Sequence, residues 1–196
     1  MSKTNVRGYT DKELLDKVKS LDNYSHTPEG YWILGVQSQE DQFNSFDDKF
    51  YIFKGEEFIM VTPGTTNSGQ YGLFHFNKYG QRGTFTIKTD HWFYDLWKYG
   101  YHRGKMPALV QNTPIIGYRD NNKNKKTEEI GEQVKGYFGI NFHTVTYNLR
   151  KGFWRKSIDS WATGCQVVNH VTDYLKIIDM VKKQKTVTYC IIKEFE

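Results

Sequence analysis

The 196-residue chain carries 27 basic and 22 acidic side chains, which gives a formal net charge of +5. Its length and its hydrophobic fraction of 38% predict one domain with a sizeable core. No apolar run is long enough to cross a membrane, and the modest basic balance favours a polyanionic partner without identifying it.

The N-terminal segment predicts a short amphipathic helix after a loose tail at residues 1–9. Thr10 and Glu13 have the spacing of a capping box, in which each side chain bonds the other residue's backbone amide. One helical face then carries Leu14, Leu15, Val18 and Leu21, and the helix is expected to end near residues 22–23. The tail has no apolar h-region, so no signal peptide is expected.

The rest of the chain is rich in strand signals, since tyrosine and phenylalanine supply most of the 16% aromatic residues. Apolar or alternating runs predict strands at residues 31–37, 49–53, 57–62, 83–88, 113–118, 137–145 and 186–195. Glycine-rich residues 67–83 are interpreted as a loop without a phosphate-binding turn, and residues 127–136 as a mobile loop. A late helix is expected, with Asn169 or Thr172 as its cap. This order of elements predicts a mainly β (α+β) fold.

Residues 90–101 are dense in aromatic side chains and are followed by the basic segment His102-Arg103-Gly104-Lys105. One interpretation is a hydrophobic platform over the core that ends in a solvated basic turn. The other is a wall of a substrate cleft, in which Arg103 or, less favourably, Lys105 holds a carboxylate. Both interpretations stay open at this point.

A histidine and a cysteine carry the strongest chemical signal. His143 ends a strand-like run, and Cys165 follows a glycine 22 residues later, before another apolar run. A thiol becomes a good nucleophile when a nearby imidazole or a group of amides favours its ionised form. Gly164 lets the backbone turn sharply, so that the amides of Thr163, Gly164 and Cys165 can face a developing oxyanion. This combination suits acyl transfer through a thioester.

Two structural alternatives compete with catalysis. A free cysteine is often a small buried hydrophobe, and a histidine at a strand end is often a hydrogen-bonded core residue. Both cysteines, Cys165 and Cys190, are expected to be reduced, because a disulfide between them would disable the nucleophile. The histidines lack metal-ligand spacing in sequence, so no metal and no cofactor are expected.

These residues resemble the L,D-transpeptidase (YkuD) family, and above all members from Bacteroidetes-type bacteria and their phages. The resemblance lies in Gly-Ile-Asn-x-His at residues 139–143 and in Trp-x-x-Gly-Cys-Gln-Val at residues 161–167. It places the family's nucleophile at Cys165, its base at His143 and its glycine at Gly164. Thr144 matches the small residue that helps to hold the histidine, partly through its main chain. Trp161 joins His102 and Arg103 as an expected substrate-binding residue.

The flanking consensus differs from that of the family at several positions. Thr163 stands where most members have a second histidine, and Ala162 stands where they have serine or threonine. His102 is a candidate to supply the missing polar group near the thiol. The resemblance implies a curved or barrel-like YkuD-type sheet packed with a helix. The domain boundaries expected from it are 1–24 for the tail and N-terminal helix and 25–196 for the catalytic domain.

The function that the resemblance implies is cysteine-dependent acyl transfer on peptidoglycan stem peptides, hydrolytic (an L,D-carboxypeptidase or endopeptidase) rather than cross-linking. A phage product that acts on the host's periplasmic cell wall would need no signal peptide of its own. The partner expected is peptidoglycan, with neither nucleic acid nor a membrane. The alternatives are a non-catalytic virion or wall-binding protein on the same fold and, as a third class, a basic nucleic-acid binder.

Overall fold

The computed structural model describes residues 6–196, apart from the side chain of Tyr79. The strands are β1 (Tyr31–Gln37), β2 (Asp48–Lys54), β3 (Glu57–Thr65), β4 (Thr84–Ile87), β5 (His91–His102), β6 (Met106–Gln111), β7 (Ile115–Asp120), β8 (Gln133–Gly136), β9 (Phe142–Thr144), β10 (Gln166–Val168) and β11 (Val187–Lys193). The helices are α1 (Asp11–Lys19), α2 (Gln70–His75) and α3 (Val171–Val181), and a 3-10 turn, Phe76–Tyr79, follows α2.

Eight strands form a closed barrel in the order β1-β11-β5-β6-β9-β10-β3-β2, and β2 returns to β1. Most neighbouring strands are antiparallel, but β1 with β11 and β9 with β10 run parallel. The remaining strands make a separate three-stranded sheet in the order β4-β7-β8. The prediction of a mainly β fold with a large curved sheet is therefore confirmed.

The N-terminal helix has the predicted capping box. The Thr10 hydroxyl accepts from the Glu13 amide, and Glu13 accepts from the Thr10 amide at 2.7 Å. Leu14 and Val18 are fully buried and belong to one hydrophobic cluster with barrel side chains such as Trp32. The helix ends at Lys19, earlier than predicted. The division between residues 24 and 25 stays a prediction, although this cluster joins the helix to the barrel.

The predicted loose tail is wrong for the residues that the structure describes, while residues 1–5 lie outside them. Val6 is buried, and the ring of Tyr9 stacks on that of Phe195 with a centroid distance of 4.4 Å. The amide of Arg7 also donates to Glu194 at 2.7 Å. Contacts with the chain's other end therefore order this segment, which no local pattern could reveal.

Other corrections share the same cause, which is hydrogen bonding to distant segments. The predicted loop at 67–83 contains α2, because the amides of Gly69 and Tyr71 bond the carbonyls of Ala162 and Asp159. The predicted mobile loop at 127–136 contains β8, which pairs with β7.

Helix α3 forms as predicted, but neither of its expected caps is used. Its cap is His170, which makes no side-chain capping bond. Asn169 instead bonds the backbone of Arg155 as both donor and acceptor, and the Thr172 hydroxyl accepts from the Gly152 amide at 2.8 Å. These contacts fix the connection that joins β9 to β10 against the start of the helix.

The aromatic run at 90–101 forms most of the long strand β5 and packs on the core, as the first interpretation predicts, while its place in a substrate cleft stays a prediction. Trp97 on β5 packs inside the barrel, and Trp92 packs outside it against α1. The strand ends at His102, which lines a surface cavity together with Arg103. Within residues 6–196, no helix has both the length and the apolar composition that a bilayer crossing requires.

Candidate active site

Parallel pairing of two short strands brings the predicted base and nucleophile together. In the register of β9 and β10, Val167 lies opposite His143 and Gln166 lies opposite Phe142. Cys165 immediately precedes β10, so its sulfur lies beside the end of β9. One ring nitrogen of His143 lies within 4.8 Å of the Cys165 sulfur. The pairing of the two strands thus brings together residues that are distant in the sequence.

The Cys165 thiol lies at the edge of a hydrophobic cluster but is not sealed inside it. The residue is 8% exposed and lines the cavity. Its sulfur accepts a weak hydrogen bond from the Asn141 amide at 3.5 Å, and its S–H donates to the Gly139 carbonyl at 3.6 Å. Burial raises the pKa of this thiol to about 11, although the Asn141 amide and the charge of Arg103 oppose the shift. The resting sulfur is therefore a neutral thiol.

His143 has one defined tautomer. Its Nδ1 lies 2.8 Å from the Thr144 carbonyl oxygen, which only accepts, so the proton is on Nδ1. Its Nε2 is buried and has no partner among the described residues. Burial lowers the pKa of this imidazole to about 3, and the neighbouring His102 and Arg103 act in the same direction. A neutral ring thus keeps a free lone pair on Nε2, as a general base requires.

Thr144 lies behind the histidine, outside the cavity lining. Its side chain is fully buried, and its hydroxyl donates to the Val168 carbonyl at 2.9 Å. This bond ties β9 to β10 at the position whose carbonyl orients His143. The group of Thr144 that contacts the histidine is thus its main-chain carbonyl, and a part in catalysis stays a prediction.

The turn before Cys165 leaves backbone amides free. Gly164 has a φ of +118°, a conformation that favours glycine. No described residue accepts a hydrogen bond from the amides of Thr163, Gly164 and Cys165. The Gly164 carbonyl accepts from the Gln166 side chain at 3.3 Å, and Gln166 accepts from the Tyr189 hydroxyl at 2.6 Å. A buried network therefore fixes the turn, whose first and last residues, Thr163 and Cys165, line the cavity.

A cavity of about 410 Å³ gives access to both reactive groups. The predicted substrate-binding residues His102, Arg103 and Trp161 all line it, and so does Thr163. The Arg155 guanidinium lies over the Trp161 ring at 5.3 Å and supports that wall from behind. Lys105, the weaker candidate for carboxylate binding, does not line the cavity.

Comparison of the chain with protein-family models, with curated proteins and with solved structures found no match. What the site can do therefore follows from its own side chains and their contacts.

Sequence reasoning gave no role to several residues of the site. Asn141 lies between Cys165 and His102, since its amide contacts the sulfur and its side chain contacts Nδ1 of His102 at 3.0 Å. Tyr147 and Ser160 line the cavity as well. The signal for Asn141 was its place in Gly-Ile-Asn-Phe-His, next to the base on a strand. Nothing local marks Tyr147, because its position depends on the course of the connection after β9.

The structure also brings together three possible metal ligands that sequence spacing did not reveal. One nitrogen each from His102 and His143 and the Cys165 sulfur lie within 4.8 Å of one another. The two imidazole rings, however, stack with a centroid distance of 4.2 Å and an interplanar angle of 29°. Each ring also holds one nitrogen in a hydrogen bond, His143 Nδ1 with Thr144 and His102 Nδ1 with Asn141, so only the two Nε2 atoms could bind an ion.

Proposed function

We propose that this protein is a cysteine-dependent acyl-transfer enzyme that acts on peptidoglycan stem peptides and hydrolyses them through a thioester. The observation that carries the proposal is the tautomer of His143. Its Nδ1 carries the proton and donates a hydrogen bond to the Thr144 carbonyl, while its Nε2 has no partner among the described residues. His143 and Cys165 line the same cavity. A nucleophile, an oriented base and free amides together favour acyl transfer.

In the first half-reaction, the Cys165 sulfur attacks the substrate carbonyl that follows an L-centre. Because both groups start neutral, the thiol proton passes to His143 Nε2 as the carbon–sulfur bond forms. The resulting oxyanion accepts from the amides of residues 163–165. When the tetrahedral intermediate collapses, the carbon–nitrogen bond breaks, and the leaving amine takes the proton back from His143. The product is a thioester on Cys165.

In the second half-reaction, water attacks the thioester while His143 removes its proton, and the thiol is regenerated. An amine in place of water would give a cross-link through the same intermediate. Hydrolysis is proposed because water reaches a surface cavity at a much higher concentration than any acceptor amine. Arg103 binds a stem-peptide carboxylate, and Trp161 packs against the peptide.

We also propose a fold family for the chain and a biological setting for the reaction. The fold is taken to be that of the L,D-transpeptidase (YkuD) family, with residues 25–196 as its catalytic domain. The proposed source is a phage, whose enzyme degrades the host's periplasmic cell wall during infection or lysis. The net charge of +5 is compatible with an anionic wall as partner.

Digestion of purified muropeptides, analysed by mass spectrometry, tests the proposal. The wild-type protein should release fragments cleaved after an L-centre, and Cys165→Ala and His143→Ala should release none. Cys190→Ala, which removes the other thiol, should retain activity because that cysteine lies in the cluster under α1. Activity that survives in Cys165→Ala would contradict the proposed nucleophile.

A non-catalytic wall-binding protein is the second candidate, and one observation favours it. The resting thiol donates to the Gly139 carbonyl, and no hydrogen bond joins it to His143. A protein of this kind would sediment with insoluble peptidoglycan equally well as wild type and as Cys165→Ala, and it would release no fragment.

A further inference from the structure

The second histidine of the site, His102, has an environment that the proposed reaction has not used. Its ring stacks on that of His143 at 4.2 Å, and its Nδ1 lies 3.0 Å from the side-chain nitrogen of Asn141. His102 is the last residue of β5, where it pairs with Met106. Its backbone is therefore fixed, and the chemical role of its ring depends on which ring nitrogen carries the proton.

The orientation of the Asn141 amide follows from a second contact. The backbone amide of Gln111, which only donates, lies 3.2 Å from Asn141 Oδ1. The oxygen must face Gln111, so the NH2 group faces His102. An NH2 group only donates, and Nδ1 of His102 must accept. The single proton of the neutral ring is therefore on Nε2.

The Nε2–H group of His102 is open to the cavity. No described residue forms a hydrogen bond with this nitrogen, and it is not among the buried atoms that lack a partner. Burial and the charge of Arg103 lower the pKa of the ring to about 4, which keeps it neutral around pH 7. The cavity wall thus presents an uncharged N–H donor.

The His102 ring lies near the reacting sulfur. A ring nitrogen of His102 lies within 4.8 Å of the Cys165 sulfur. A carbonyl carbon bonded to that sulfur would lie in the cavity that the His102 ring also lines. A donor fixed there gains strength as negative charge develops on the oxygen, and its protein partners need not reorganise.

We propose that His102 donates Nε2–H to the oxygen of the carbonyl that Cys165 attacks, and that Asn141 positions it by holding Nδ1 as an acceptor. This role rests on the proposed acyl transfer and adds a side chain to the backbone oxyanion site. With this donor at the end of β5, the residue before Gly164 need not supply a polar contact to the substrate. Threonine at position 163 is compatible with this arrangement.

Two substitutions separate hydrogen bonding by His102 from its stacking on His143. His102→Phe keeps a ring against His143 but removes the donor, and His102→Gln restores an N–H group at the position of Nε2. We expect kcat for stem-peptide cleavage to fall by about 100-fold in His102→Phe, the size typical for loss of one oxyanion donor, with KM nearly unchanged. His102→Gln should recover most of this loss. An unchanged kcat in His102→Phe would overturn the donor role.

The tautomer has a test that needs no enzymatic activity. The 15N chemical shifts of a neutral imidazole distinguish its protonated nitrogen from its bare one. In wild type, His102 should show the proton on Nε2. In Asn141→Asp, whose carboxylate only accepts, the proton should move to Nδ1. A wild-type ring protonated on Nδ1 would overturn the role of Asn141.

A double-mutant cycle connects the two residues. Asn141→Asp should lower kcat in the wild-type background but add little to His102→Phe, because its effect passes through the ring. Full additivity would contradict positioning by Asn141. If wild type cleaves no stem peptide, the acyl-transfer function and the donor role both fall, and the NMR result still decides the tautomer by itself.

Discussion

At the scale of single residues, burial favours the neutral form of both Cys165 and His143. It raises the pKa of the thiol to about 11 and lowers that of the imidazole to about 3, so both shifts oppose a thiolate–imidazolium pair. The pair should therefore remain neutral until a substrate carbonyl accepts the sulfur's electrons. Charge then develops where the backbone amides and His102 can stabilise it.

Alkylation of Cys165 by iodoacetamide measures this neutral state. Since only the thiolate reacts, the rate should rise about tenfold for each pH unit between pH 7 and 10, without a plateau. The measurement is the rate of modification of the Cys165 peptide, followed by mass spectrometry. A plateau near neutral pH would mean that a stable ion pair exists.

The charge of Arg103 gives a second readout of the same thiol. This charge lowers the pKa of Cys165, so Arg103→Gln should slow alkylation at any pH in that range. Lys105→Gln makes the same change of charge two residues further along the turn, outside the cavity, and should leave the rate close to that of wild type. Equal slowing in both variants would refute a specific contribution from Arg103.

The sequence predicted the nucleophile, the base and the carbonyl of Thr144 from local motifs. The structure places a ring nitrogen of His143 within 4.8 Å of the Cys165 sulfur and Nδ1 of the same ring 2.8 Å from the Thr144 carbonyl, while their catalytic roles stay predictions. The sequence did not predict the role of Asn141, because the orientation of a side-chain amide depends on its hydrogen-bond partner. That partner is the backbone of Gln111, 30 residues away in sequence. Hydrogen-bond direction is a tertiary property that no local pattern contains.

At the scale of elements, the turn at residues 163–165 is the most constrained part of the site. A Cβ atom on Gly164 would lie 2.8 Å from Cβ and 2.9 Å from the carbonyl oxygen of Phe85. Gly164→Ala therefore combines backbone strain with a clash. We expect it to lower the free energy of unfolding by about 2 kcal/mol and to abolish activity, as measured by denaturant melts and muropeptide digestion.

Gly152→Ala is the matched control for this turn. Gly152 also has a positive φ, +80°, but its added Cβ would meet nothing within 4 Å. It should cost about 1 kcal/mol through backbone strain alone and leave activity intact. If Gly152→Ala abolished activity equally, strain in general and not the geometry of the oxyanion turn would be responsible.

Elements held by local chemistry were predicted well, and elements held by distant contacts were not. The capping box of α1 and the hairpin of β2 and β3 formed where the sequence placed them. Helix α2 was missed, because its glycine-rich start is stabilised by carbonyls from residues 159 and 162. The strand that bears His143 was predicted at 137–145 but is only Phe142–Thr144.

At the scale of the whole molecule, parallel pairing joins the two ends of the chain. Strands β1 and β11 pair in parallel from Ile33 with Tyr189 to Gln37 with Lys193. The sequence predicted both strands and a curved sheet, but a pairing over this separation could not be derived from periodicity. The same limit applies to β9 and β10, whose contact creates the site.

Two buried carboxyls at the start of β2 predict how stability depends on pH. Asp47 and Asp48 are almost fully buried, and burial raises the pKa of Asp47 to about 6 and that of Asp48 well above its usual value. A carboxyl with a raised folded-state pKa binds its proton more tightly when folded, so its contribution to stability is lost as pH rises. Between pH 4 and 6, Asp47→Asn should reduce this loss by roughly 2 kcal/mol, measured by urea unfolding.

Asp179 provides a control of opposite sign. Its carboxylate is exposed, and its hydrogen bond with Lys182 lowers its pKa, so its contribution is lost as pH falls. Asp179→Asn should therefore reduce the loss of stability that occurs as pH falls. Asp47→Asn should instead reduce the loss that occurs as pH rises. Identical changes in both variants would contradict the role assigned to burial.

The most direct test of the central claim is the mass of the intact protein during turnover of a stem peptide. We expect a transient mass increase equal to the acyl fragment of the peptide. It should be located on Cys165 and, because it is a thioester, hydroxylamine should release it. No adduct should form on Cys165→Ala, and the adduct should appear much more slowly on His143→Ala. Cleavage of the peptide without any adduct on Cys165, under conditions that quench turnover within milliseconds, would contradict acyl transfer through a thioester on this residue.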